Sequence, residues 1–175
     1  MKSRLRGFSA IWGGLMGMIV VLLVLGGCRT LSLDYRAGRV PEEDRISIPE
    51  NSEQEDVWRT REATVEYHYI RKGSDLRISG VMKLNEPITN NFSWIDYSHL
   101  DVIFVDAQGH VLEMRGLMSS CRGRPDAPEP FDLRLTLPPG TEAIAFSYRG
   151  KAYAGGGGDS GGDVYSFWYY PIHRW

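Results

Sequence analysis

The sequence predicts an all-β protein: an antiparallel β-sandwich of seven or eight strands, with a small β-barrel as the alternative. Three observations lead there. Apolar residues recur at spacing two from Thr64 onward, and no segment keeps a strong 3.6-residue period. Turn signals separate these runs at the intervals expected of a sandwich. The composition agrees, with 20 Gly, 9 Pro and 11% aromatic residues suiting a turn-rich β-protein better than a helical bundle or a disordered chain. At 175 residues the chain is long enough for one ordinary domain and too short for two, which excludes most two-domain enzymes.

The strands follow in order. Val65, Tyr67 and Tyr69 alternate with Glu66 and His68, and Lys72-Gly73-Ser74-Asp75 is a turn signal. Leu76, Ile78, Met82 and Leu84 continue the alternation through Gly80, completing a hairpin. A short strand is expected at Phe92–Tyr97. Leu100–Val105 then meets His110–Met114 across Asp106-Ala107-Gln108-Gly109, whose Gly suits a positive-φ position in a short connection. Phe131, Leu133, Leu135 and Leu137 form the next strand, Ala143–Tyr148 another, and Val164–Tyr170 the last. An immunoglobulin-like or fibronectin-like arrangement is the leading architecture, and Pro138-Pro139-Gly140-Thr141 resembles a turn of fibronectin-type domains without implying a function.

The first 28 residues carry processing chemistry. Lys2, Arg4 and Arg6 precede an uncharged stretch, Phe8 to Leu25, followed by small residues, the layout of a secretory signal. Leu25-Gly26-Gly27-Cys28 resembles the lipobox of bacterial lipoproteins. The resemblance implies a diacylglyceryl group on the Cys28 sulfur, cleavage just before Cys28, and acylation of the freed amine. Two or three acyl chains hold a protein stably at a membrane where one does not. An uncleaved transmembrane helix is the competing reading, weakened by five glycines between Gly13 and Gly27. The predicted organisation is therefore signal peptide 1–27, acylated N-terminus and polar tether 28–62, and β-domain 63–175.

Removing residues 1–27 leaves 148 residues with 17 basic and 22 acidic side chains, a net charge of about −5 against −2 for the full chain. Nucleic acid is excluded as a partner by this balance, and membrane association rests on the lipid instead of a polybasic patch. In the lipoprotein family an Asp after the cysteine favours inner-membrane retention. Arg29 stands there instead, which implies an outer-membrane location facing the periplasm, with a Gram-positive cell surface as the alternative. The tether holds the acidic clusters Glu42-Glu43-Asp44 and Glu53-Gln54-Glu55-Asp56; as a flexible coil its 34 residues would reach roughly 30–35 Å. Ile46-Ser47-Ile48 is the one piece expected to pair with the domain edge.

With Cys28 acylated, Cys121 is the only remaining thiol, so no disulfide forms within the mature chain. Cys121 is expected in a loop, Ser119–Pro125, where Arg122 and Arg124 would favour its thiolate.

Several patterns suggest chemistry. Gly158-Asp159-Ser160-Gly161-Gly162 matches the five residues around the nucleophilic serine of chymotrypsin-like proteases. That family also needs a histidine base and a buried carboxylate, but no Ala-Ala-His-Cys motif surrounds any histidine, and Asp163 replaces the usual proline. Gly156, Gly158 and Gly161 satisfy G-x-G-x-x-G without a following helix to receive a pyrophosphate. The run Gly155–Gly162 reads as a loop, with Asp159 and Asp163 free to bind Ca²⁺ only if other oxygens converge. His99 with Asp101, and Glu66 with His68, are two-residue sets that fit a solvated strand face better than a metal site. No cofactor or metal is expected.

The C-terminal aromatics are the unusual feature: Tyr165, Phe167, Trp168, Tyr169, Tyr170 and Trp175 fall within eleven residues. On a strand Phe167 and Tyr169 point one way and Trp168 and Tyr170 the other, so one set fills the core and the other is a candidate recognition surface. The expected function is a membrane-anchored envelope lipoprotein acting as a binding or structural module. The alternatives are glycan or peptidoglycan binding through these aromatics, capture of another envelope protein, and a small hydrolase using Ser160 or Cys121.

Overall fold

The computed structural model describes residues 38–155 and 163–173. Nine strands form two antiparallel sheets that pack as a β-sandwich and do not close into a barrel. They are β1 (Ile46–Ser47), β2 (Glu53–Arg59), β3 (Ala63–Lys72), β4 (Asp75–Leu84), β5 (Trp94–Val105), β6 (Val111–Gly123), β7 (Glu129–Thr136), β8 (Ala143–Tyr153) and β9 (Val164–Tyr169). One sheet has the order β2-β3-β4-β7. The other runs β1-β8-β5-β6, with β9 also pairing β8. β1 and β9 share one edge of β8, β1 at Ala143–Ile144 and β9 at Tyr148–Tyr153. The only α-helical piece among the described residues is one turn, α1 (Glu86–Thr89), between β4 and β5.

Seven strands follow Ala63, as the alternation predicts, and two more precede it. The lipobox residues Leu25–Cys28, the pentapeptide around Ser160, and Trp175 lie outside the described residues.

The expected tether boundary at residue 62 is corrected by the structure. Residues 38–62 belong to the sandwich: Val40 and Ile48 are completely buried, and β2 pairs β3 along seven residues. Trp58 faces inward, its ring 5.5 Å from Phe146 and 5.2 Å from Tyr169. β2 is an edge strand with only Val57 and Trp58 apolar, so it lacks the apolar alternation that marks a half-buried strand. Its Glu53 and Glu55 put charge on an edge that would otherwise invite pairing with another chain.

The hairpin turns follow from residue type. Gly73 holds φ +57° at the first central position between Lys72 and Asp75. Asp106 organises the β5–β6 turn: its Oδ1 accepts from the backbone N–H groups of Gln108 (2.9 Å) and His110 (2.8 Å), and Gly109 takes φ +86°. Two further differences concern strand lengths. Phe92–Tyr97 and Leu100–Val105, expected as separate pieces, are joined in the twelve-residue β5, with irregular register between Ile95 and Tyr97. Cys121, expected in a loop, lies within β6, which runs five residues past Met118 before ending.

The core lies between the sheets. Tyr67, Tyr69, Ile78 and Met82 from one meet Val102, Phe104, Phe146 and Tyr148 from the other, all buried. Polar ties cross the gap as well. The Tyr148 hydroxyl lies 2.8 Å from Thr60 Oγ1 and donates to Glu62 Oε2 at 3.0 Å, and Ser98 Oγ donates to Glu129 Oε2 at 2.5 Å. Among the described residues no buried side-chain polar atom lacks a partner.

Two glycines receive aromatic rings from the neighbouring strand. Gly80 pairs with Phe131 and Gly150 with Phe167, one pair in each sheet. A Cβ on Gly150 would sit 2.2 Å from Phe167 Cζ, and one on Gly80 would sit 2.2 Å from the Glu66 carbonyl oxygen. The missing side chain is the space the ring occupies. Gly150→Ala should lower stability by about 1–3 kcal/mol in urea unfolding, as overpacking does elsewhere. Gly80→Ala should cost more, because the obstacle there is backbone and cannot rotate away.

Candidate recognition face

Each strand of the five-stranded sheet shows one face to the core and one outward, and cross-strand partners share a face. The outward residues therefore form rows. Trp168 of β9 lies beside Arg149 of β8, then His99 of β5 and Ser119 of β6. The next row is Ser166, Lys151, Tyr97 and Cys121. A third is Val164, Tyr153 and Trp94. Asp101 lies one row past His99, opposite Ser147 and Gly116.

One end of this outward face is closed by the chain itself. Val40, Ile103, Val105, Val111, Ala143 and Ala145 form a second small core with Ile172 against it. Backbone bonds between Arg39 and His173, 3.0 and 2.9 Å, clamp the two segments together over it. The other end is open. The large hydrophobic residues exposed among the described residues are Trp168 (67%), Val164 (52%), Tyr170 (44%) and Trp94 (37%). Three of them stand on the open rows, and Tyr170 follows directly after β9.

The five described C-terminal aromatics divide as strand alternation requires. Phe167 is 2% exposed and fills the space over Gly150, so it is removed from the candidate recognition surface. Tyr165 and Tyr169 are corrected likewise. Tyr165 stacks on Phe92 at 5.4 Å, and Tyr169 stacks on Tyr148 while its hydroxyl donates to Asp44. Burial, then the bond to Asp44, raises the Tyr169 phenol above its ordinary range. Trp168 and Tyr170 remain on the outside.

The structure adds residues to the surface that sequence reading missed: Trp94, Tyr97, Arg149, Lys151 and Tyr153. The signal was present in the alternation of β8, where Tyr148, Gly150 and Ala152 point inward and the residues between them outward. Lys151 Nζ sits 5.1 Å from the centroid of the Tyr153 ring, and the rings of Tyr97 and His99 are 5.5 Å apart. Burial pushes the Asp101 carboxyl up, against the opposing pull of Arg149 and then of His99.

The outer face of the four-stranded sheet is organised differently. Several of its charges pair across strands: Glu53 with His68 at 2.8 Å, Glu66 with Lys83 at 2.6 Å, and Asp132 with both ends of the Arg77 fork. The Arg77 hydrogen bonds hold the Asp132 carboxyl below its usual range. This is the solvated strand face that Glu66 and His68 suggested.

The remaining candidates stay separate. His99 and Asp101 do share a face, but among the described residues no three His, Cys, Asp or Glu side chains are grouped as a metal site needs. Cys121 is exposed on β6 beside Tyr97, and Arg124, expected to act on it, forms a bidentate pair with Asp126 at 3.0 and 2.7 Å. Asp163 is exposed, and its carbonyl accepts from the Ala154 N–H. Among the described residues no helix is long and apolar enough to cross a membrane. No family model, curated protein or solved structure matches the chain.

Two outcomes follow. Phe167→Ala should destabilise the domain by about 3–5 kcal/mol, whereas Trp168→Ala should change stability by no more than about 0.5 kcal/mol; denaturant melts of the two variants measure the contrast. Asp101 has a raised folded-state pKa, so its favourable contribution is full below about pH 3.9 and declines as pH rises through the folded value. Asp101→Asn should therefore be more stable than the wild type at pH 7, with the difference shrinking below pH 4 in melts across pH.

Proposed function

We propose that the protein is a lipid-anchored envelope lipoprotein whose β-sandwich binds a partner through the open outer face of its β5-β8-β9 sheet. The carrying observation is the contrast between faces. One sheet ties several outward charges together across its strands, while the other leaves Trp168 and Trp94 exposed on β9 and β5, on either side of β8 with its Arg149 and Lys151. Exposed large apolar side chains gathered in one area mark interaction surfaces, and Trp, Tyr and Arg carry much of the energy of such contacts. The anchoring half of the proposal rests on Leu25-Gly26-Gly27-Cys28, with Arg29 favouring the outer membrane and an orientation toward the periplasm.

The module works by capture and presentation, with no turnover. A second reading, glycan binding, is favoured by the same rings, because aromatic faces stack on the apolar faces of sugars as they do on other rings. The hydrolase reading has less support: His68, His110 and His99 contact Glu53, Asp106 and Tyr97, and none of these contacts activates Cys121.

Mass spectrometry of the mature protein tests the anchor. The expected product starts at Cys28 and carries acyl chains, and Cys28→Ser should move the protein out of the membrane fraction or leave it unprocessed. An intact Met1 on the mature protein, or a free Cys28 thiol, overturns the anchor. For the binding half, a photo-crosslinker at position 168 should capture an envelope component that the same group at position 79, on the opposite sheet, does not.

A further inference from the structure

The open face is specific enough in its chemistry to name a class of ligand; this inference rests on the binding reading above. The outward rows do not form a continuous apolar patch. Rings alternate with hydroxyl and cationic groups, Trp168 beside Arg149 and His99, then Ser166, Lys151 and Tyr97, then Tyr153 and Trp94. The fully buried centre of a protein interface is typically depleted of charge, and these rows show no such centre. This surface offers stacking platforms separated by hydrogen-bond donors, which suits a ligand with apolar ring faces and hydroxylated edges.

Its charge is equally informative. Arg149 makes no salt bridge among the described residues, although the chain has more acidic than basic groups. Asp101, on which Arg149 acts, is part-buried, and Lys151 is held by Tyr153, with Asp96 the acid that acts on it from the irregular stretch of β5. On the opposite sheet Arg77 and Lys83 are paired with cross-strand carboxylates, whereas the exposed Arg149 has no such partner and its guanidinium fork can meet an external anion. A fork and one ammonium, partly offset by Asp96 and Asp101, match a single carboxylate better than a doubly charged phosphate.

The dimensions point to a chain. Trp168 and Trp94 lie two strands apart and four residues apart along the strands, about 16 Å between backbone positions from the strand spacing and rise. One sugar ring cannot touch both. We infer that the open face binds a carboxylate-bearing glycan strand, laid diagonally from Trp168 to Trp94, with Arg149 and Lys151 receiving one of its carboxylates.

Cys121 is a native reporter for this site, being exposed in the row of Tyr97 and Lys151. The experiment uses the mature acylated protein in detergent with soluble peptidoglycan strands, and the same strands with their carboxylates amidated. Native strands should slow maleimide alkylation of Cys121 and quench Trp fluorescence, while the amidated strands bind roughly 10- to 100-fold more weakly. Arg149→Ala should reproduce that loss with native strands and leave amidated strands unaffected. Trp168→Ala should weaken both. Longer strands should bind more tightly than single disaccharide units. Equal binding of native and amidated strands overturns the carboxylate assignment, and no binding of any strand overturns the glycan assignment altogether. The crosslink from position 168 is read independently: a captured protein with no glycan binding rejects this inference while the binding reading stands, and no capture of any kind rejects both.

Discussion

Phe167 lying over Gly150 decides the orientation of the last strand, and with it the character of the outer surface. β9 is only six residues long and pairs with one neighbour, so backbone bonds alone would tolerate a slip. A slip of one residue would turn Phe167 to solvent and drive Trp168 into a space shaped for a smaller ring. The empty Cβ position of Gly150 works against that slip, because the space over it is filled by the Phe167 ring. Gly80 and Phe131 do the same for β7 on the other sheet. Each sandwich layer is thus closed on one side by a ring seated on a glycine.

The sheets are further tied by groups that sit at the margins of the core. Thr60, Glu62 and Tyr148 link the β2–β3 turn to the middle of β8, and Ser98 with Glu129 links β5 to the start of β7. Each polar group is satisfied by its partner, so the apolar interior between them carries no unpaired donor or acceptor to offset. The fold needs no covalent cross-link among its described residues, and its one described thiol faces outward.

Much of this architecture was legible in the sequence, for a physical reason. Strands with one buried face must alternate, and β3, β4, β7 and β9 do so in plain view. Gly73 and the Asp106–Gly109 turn declared the hairpins through local backbone demands. The edge strand β2 was hidden because an edge needs few apolar residues; one Trp among Glu, Gln and Asp looks like solvated chain until its partner strand is known. The length of β6 was hidden for a similar reason, since Ser119, Ser120 and Cys121 lack any loop or strand preference strong enough to outweigh the following Arg-Gly-Arg-Pro. The inward and outward division of the C-terminal aromatics followed from periodicity alone. Trp94, Arg149 and Lys151 did not, because their neighbourhood with Trp168 is created by pairing between strands far apart in the chain, which local pattern does not encode.

Arg39 and His173 hold the two ends of the described chain against each other, and Val40 is buried beneath that junction with Ile172 packed against the same small core. The seam therefore joins Arg39 and Val40 to His173 and Ile172, segments far apart along the chain. A sandwich with such long-range closure has high contact order and reaches its final state slowly.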